Sequence, residues 1–175
     1  MQAAAEVLDE VGDASRLSVR AIARRAGVSP TALYLHFPDR DALVGATVDA
    51  GFAAFNAAVL SAAATEPEDP RRGLEAAGLA YLAFAERQPA LYAVLFSARR
   101  PLGETPAPDH EEGFDGLVAL LRRCDAALAP AQARDLAIAV WSSLHGFAVL
   151  RAARPTFGWP LARDHVRRTL AAHVP

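Results

Sequence analysis

The sequence predicts an all-α protein: an N-terminal three-helix helix-turn-helix domain followed by a larger helical domain, about nine helices in all. Three observations carry that prediction. Apolar residues recur at three- and four-residue spacing along nearly every segment. The composition is 53% hydrophobic and rich in alanine, the strongest helix former. The twelve prolines and eleven glycines fall mostly between the periodic segments, and no alternating β-branched run argues for a sheet.

The elements follow in order. A first helix over residues 3–11 carries Ala3, Val7, Leu8 and Val11, with Gly12 ending it. Residues 18–45, SVRAIARRAGVSPTALYLHFPDRDALVG, then read as helix, glycine turn, short helix and the start of a third. Ser18 is placed to cap, and Ile22, Ala23 and Ala26 share a face. Gly27 stands where the chain needs positive φ. Ser29 caps again, with Pro30 at a first helical position that needs no N–H. Leu33 and Phe37 point inward, leaving Thr31, Tyr34, Leu35 and His36 outward. Asp39 caps a helix running to residue 64, with Leu43 or Val44, Val48, Phe52, Phe55 and Val59 at helical spacing. A two-turn helix presented this way fits a DNA major groove ~12 Å wide.

The run IARRAGVSPTALYLHFPDRDAL, residues 22–43, resembles the DNA-binding domain of the TetR family of bacterial repressors in order, spacing and residue types. The resemblance implies a reader over residues 1–48. It assigns Arg20 and Thr31 to base edges and Leu35 to a thymine methyl. Tyr34, His36 and Arg40 go to phosphates, with the helix start at Ser29, Pro30 and Thr31 also favouring one. Arg40 stands where the family commonly has lysine. The first helix is shorter than the family's, which usually carries another turn and a basic arm. Residues 1–48 hold five arginines (16, 20, 24, 25, 40) against six acids (6, 9, 10, 13, 39, 41), a departure from the basic footprint of a DNA reader.

Beyond the break TEPEDP at 65–70, Asp69 and Pro70 start a helix striped by Leu74, Gly78, Tyr81, Leu82 and Ala85. Pro89 interrupts it, and ALYAVLFS continues as a short apolar helix. RRPLGETPAPD, 99–109, reads as a loop. Phe114, Leu117, Val118, Leu121 and Leu128 stripe a helix over 109–128. Pro130 opens another, to about residue 154. This one is apolar nearly all round, with Leu136, Val140, Leu144 and Phe147 on one face and Ile138, Trp141, His145 and Val149 on another. Such a helix must be covered on more than one side. A final segment carries Leu161, Val166, Leu170 and Val174. WSSLHGF, 141–147, looks like the Trp-His-Gly element of one class of TetR-family C-terminal domains, and ERQPALYAVLF, 86–96, agrees with the same class.

Other chemistries are poorly served. All 18 basic residues are arginine, and the net charge is −2. Cys124 is the only cysteine, which excludes an internal disulfide and a thiolate metal cluster. There is no phosphate-cradling glycine loop, HExxH or GxSxG, and the five histidines have no metal-ligand spacing. The expectation is therefore no catalytic residue, no metal and no cofactor. Absence of a signal peptide and of an uninterrupted membrane-length apolar span predicts a cytoplasmic protein with no membrane partner.

The combined expectation is a homodimeric, ligand-responsive transcriptional repressor. Residues 1–48 bind operator double-stranded DNA, and residues 49–175 bind a small hydrophobic effector and form the dimer. The resemblance implies an apolar cavity, for which Phe55, Tyr81, Tyr92, Phe96, Trp141 and His145 are candidates; Tyr81, Tyr92, Trp141 and His145 each join an apolar body to a polar handle. Leu144, Phe147, Leu150, Val166 and Leu170 are the dimerisation candidates, from the helix at 130–154 and the segment after it. The rivals are a helical small-molecule-binding protein or enzyme with a relic reader, and a ligand-independent DNA-binding regulator.

Overall fold

A computed structural model of the chain describes residues 2–12, 17–96 and 109–174. Among the described residues there are nine helices and no strand: α1 Gln2–Val11, α2 Val19–Ala26, α3 Pro30–His36, α4 Arg40–Ala64, α5 Pro70–Arg87, α6 Pro89–Leu95, α7 Asp109–Cys124, α8 Pro130–Ala153 and α9 Ala162–His173. The predicted all-α class and the order of elements are observed. Most of the run read as a proline-rich loop, residues 99–108, lies outside the described residues.

The chain divides into two compact units, Met1–Ala54 with Gln88–His110, and Phe55–Arg87 with Glu111–Pro175. In the first, α1 packs on α2 and α6, and α2 on α3. Its core is built from Ala4, Val7 and Leu8 of α1, Ile22 and Ala23 of α2, Leu43, Val44, Val48 and Phe52 of α4, and Leu91, Tyr92 and Leu95 of α6. On the surface, Arg25 of α2 pairs with Glu6 (3.1 Å) and with Glu10 of α1. The hydrogen bonds to Glu10 and then Glu6 push the Arg25 pKa further up. An exposed pair of this kind adds little stability, but it engages one of the arginines counted toward the reader's charge.

In the second unit α5, α8 and α9 pack on one another. Leu74, Ala77, Leu82 and Phe84 of α5 meet Ala137, Val140, Leu144 and Phe147 of α8 and Val166 of α9 in a buried core. Arg151 pairs with Glu86 at 3.1 Å and Arg167 with Glu75 at 2.8 Å, tying α8 and α9 to α5. Asp69 Oδ1 accepts from the backbone N–H groups of Arg71 and Arg72, both at 3.1 Å, so α5 starts where its cap predicts.

Two local expectations are corrected. Ser18 precedes α2 in extended backbone, but its side chain makes no capping bond. α7 stops at Cys124, not 128, because Asp125 closes a turn: its Oδ1 accepts from Ala127 N at 2.9 Å and its carbonyl from Leu128 N at 3.2 Å. α4 and α8 are long and apolar enough to reach membrane-span dimensions by length and composition, though charged residues interrupt each; cores of helical proteins pass the same test.

α4 and α7 approach closely within the second unit. A Cβ on Gly113 would collide with Oδ1 of Asn56, and one on Gly116 with Cδ2 of Leu60, at 2.5 Å. Asn56 is buried and has little room to yield. Gly113→Ala should therefore destabilise the protein by about 1–2 kcal/mol net, since overpacking outweighs the ~1 kcal/mol gain in helix propensity. Urea denaturation checks this; a variant as stable as the native chain would contradict the close approach.

Candidate nucleic-acid interface and aromatic cluster

The first candidate site is built from the turn between α2 and α3. Gly27 takes φ 70°, the left-handed conformation that glycine adopts without a Cβ penalty. Its N–H donates to the Arg24 carbonyl at 3.3 Å, and that of Val28 to the Ala23 carbonyl at 3.0 Å, closing the end of α2. Ser29 Oγ then accepts from Ala32 N at 3.1 Å, with Pro30 as the first residue of α3. Asp39 Oδ1 accepts from Ala42 N at 2.7 Å and starts α4. Backbone groups at the turn and at both helix starts are thus satisfied by neighbours close in sequence.

α3 itself has no buried residue. Leu33 and Phe37 are half-buried, while Arg20, Ser29, Pro30, Thr31, Tyr34, Leu35 and His36 are exposed. Leu35 is 80% exposed and Tyr34 53%, unusual for large apolar side chains on a folded surface. Seven of the eight expected DNA contacts thus lie open on the first unit. Arg40 differs. It is half-buried, its Nε donates to the Leu17 carbonyl at 3.0 Å, and its guanidinium reaches Asp41 at 3.3 Å. The sequence offers no local signal for that bond, which joins positions 23 apart.

The second candidate site lies in the second unit. Trp141 Nε1 donates to Tyr81 Oη at 3.2 Å, and Tyr81 Oη lies 3.2 Å from His145 Nδ1. With the tryptophan donating, the tyrosine hydroxyl is left to donate to a neutral histidine. Burial pushes the His145 pKa below its ordinary value, which favours that neutral form. Phe55 packs edge-on against Tyr81 at 5.1 Å, and Phe114 against Trp141 at 6.0 Å. Arg134 lies over the Phe114 ring at 4.9 Å. Arg134 was not among the expected contacts; it reaches Phe114, which the sequence places on the α7 stripe.

Four expected effector residues, Phe55, Tyr81, Trp141 and His145, therefore share one cluster, where the polar handles engage one another. Tyr92 and Phe96 belong to the first unit, where their rings meet at 4.8 Å and Phe96 packs edge-on against Phe52 at 5.7 Å. Of the expected dimer residues, Leu144, Phe147 and Val166 are buried in the chain's own core, Leu170 is half-buried and Leu150 is 52% exposed. Exposure falls instead on Ile138 (45%), Val149 (45%), Phe157 (60%) and Leu161 (74%).

Comparison with known proteins bears on both sites. Residues 1–47 match the family model described as bacterial regulatory proteins, tetR family, and residues 74–174 match the tetracyclin repressor-like C-terminal domain. A protein of unknown function from Rhodococcus sp. RHA1 is 26% identical with a TM-score of 0.73, over 98% of this chain and 95% of that one. The TetR family transcriptional regulator PfmR from Thermus thermophilus is 21% identical with a TM-score of 0.69, over 98% and 94%. A TetR variant from Acinetobacter baumannii AYE, solved in complex with minocycline, is 24% identical with a TM-score of 0.64, over 98% and 92%. No curated protein matches the chain significantly.

The histidine in the cluster has a pH consequence. Its folded-state pKa lies below the unfolded value of about 6.5, so the unfolded chain binds the proton more readily. Its contribution is therefore constant above about pH 6.5 and turns destabilising as the pH falls below that value. His145→Gln should lose less stability than the native protein between pH 7.5 and 5.5, by urea denaturation. An identical loss in both would contradict the assignment.

Proposed function

The chain belongs to the TetR family of bacterial regulatory proteins, and on that premise we propose that it is a homodimeric, cytoplasmic transcriptional repressor released from its operator by a small hydrophobic effector. The observation that carries the reading is α3: a short helix with no buried side chain, capped at its start and preceded by a closed turn. Its Leu33 is half-buried toward the unit while Thr31, Tyr34, Leu35 and His36 are exposed, which leaves that outer face open to a partner. Its two turns match the width of a major groove. In this reading residues 1–48 are the DNA reader. Arg20 and Thr31 read base edges, Leu35 meets a thymine methyl, and Tyr34 and His36 position the helix on phosphates, as does the start of α3 at Ser29 and Pro30.

Residues 49–175 receive the effector and form the dimer. The effector contacts are Phe55, Tyr81, Trp141 and His145, whose rings favour a hydrophobic molecule and whose linked hydroxyl, indole and imidazole would orient it. An effector shifts the equilibrium only by binding the non-DNA-binding arrangement better. α4 runs in sequence from the reader into the second unit and is the proposed lever. Dimerisation is supported by the outward row Ile138, Val149 and Leu150 of α8, with Phe157 and Leu161 beyond it.

A second reading, a ligand-binding helical protein with a relic reader, draws on the charge balance of residues 1–48 and on Arg25 being engaged by Glu6 and Glu10. Selection of duplexes from a random-sequence pool separates the two, since a relic recovers no preferred duplex. On the selected duplex, Tyr34→Phe should weaken binding about tenfold, and equally for base variants of that duplex, as loss of one phosphate hydrogen bond implies. A loss confined to one base position would contradict its role. Leu150→Arg should yield a folded monomer by sedimentation at micromolar concentration, whereas a persistent dimer would place the interface elsewhere.

A further inference from the structure

We propose that Arg40 is a positioning residue that holds the start of α4 to the backbone leading into α2, and thereby sets the orientation of α3; it does not act as a phosphate contact. The proposal rests on the reading of the chain as a DNA-binding regulator. Its geometry lies wholly within the first unit. Arg40 is the first residue of α4, and its Nε donates at 3.0 Å to the carbonyl of Leu17, a side chain only 3% exposed. The bond anchors the backbone two residues before α2, where Ser18 supplies no side-chain cap of its own. α3 lies between these two helices in the chain and buries no residue of its own. It packs on α2, with Leu33 only half-buried, so its direction depends on how α2 is fixed relative to α4. The pair with Asp41 at 3.3 Å keeps the guanidinium on α4 and lowers its net attraction for a phosphate.

The chemistry of the side chain supplies a clean test. In glutamine the terminal amide nitrogen occupies the position of the arginine Nε, one bond beyond Cδ, so Arg40→Gln keeps the donor and removes the charge. In lysine a methylene stands at that position, so Arg40→Lys keeps the charge and removes the donor there. Arg40→Met removes both. Each full-length variant is titrated against the duplex that the native protein recovers from a random-sequence pool, and against an unselected duplex of the same length, across a range of salt. The expected order of selectivity is native, then Gln, with Lys and Met together roughly tenfold or more below native. The salt slope should be the same in all four. The opposite order, with Lys near native and Gln falling with Met, and a slope flatter by ~0.9 in Gln and Met, would make Arg40 a phosphate contact and overturn the proposal.

Hydrogen exchange without DNA gives an independent arm. Arg40→Lys should speed exchange of the amides at 19–23 relative to native, and Arg40→Gln should not. Equal exchange in the two variants would refute the hold. If the native protein recovers no duplex, the regulator reading fails, and this arm still decides the role of Arg40.

Discussion

α3 packs on α2 but buries no side chain completely, and Leu33 with the adjoining Phe37 is only half-buried, so apolar contact holds it weakly. The first unit adds local hydrogen bonds to that limited apolar contact. Gly27 turns the chain in the left-handed conformation, Ser29 caps α3, and Asp39 caps α4 immediately after it. These bonds are short in sequence and insensitive to side-chain packing. They let the outward face carry Tyr34 and Leu35 without contributing to the core. The folded core of the unit lies elsewhere, among α1, α2, the first part of α4 and α6. Exposure of α3 and rigidity of its surroundings are thus separate properties of the same short segment.

The second unit meets a different constraint. α8 is apolar nearly all round, and one chain buries only part of it. Val140, Leu144 and Phe147 enter the core with α5 and α9, while Ile138, Val149 and Leu150 remain outside. Trp141 and His145 belong to the outward half by spacing, yet Tyr81 links them through one hydroxyl. That hydroxyl pairs with the indole N–H and the imidazole at once, which lets an aromatic cluster hold polar atoms without leaving them unpaired.

Much of this was legible in the sequence, for a physical reason. Caps, glycine turns and helical stripes are local, so α2, α3, α5 and the all-α class follow from spacing within a few residues. The local reading failed where two local signals competed: Leu128 extends the apolar stripe of α7, but Asp125 closes a turn before it. It also failed where periodicity carries no direction. On a helix apolar on all sides, the sequence does not say which face is covered, so Leu144 and Phe147 read as dimer residues although the chain's own core takes them. Contacts distant in sequence had no signal at all. Trp141 and Tyr81 are 60 positions apart, and Arg40 and Leu17 are 23 apart. Both bonds become visible only when the helices are packed.

The central claim is that this regulator reads DNA with α3. Hydrogen exchange of the full-length protein, with and without the duplex it selects from a random pool, tests that claim most directly. The account predicts that added protection concentrates on residues 29–36 and on the start of α2 near Arg20, with α5 and α9 unchanged. Protection absent from 29–36, or confined to the second unit, would contradict it.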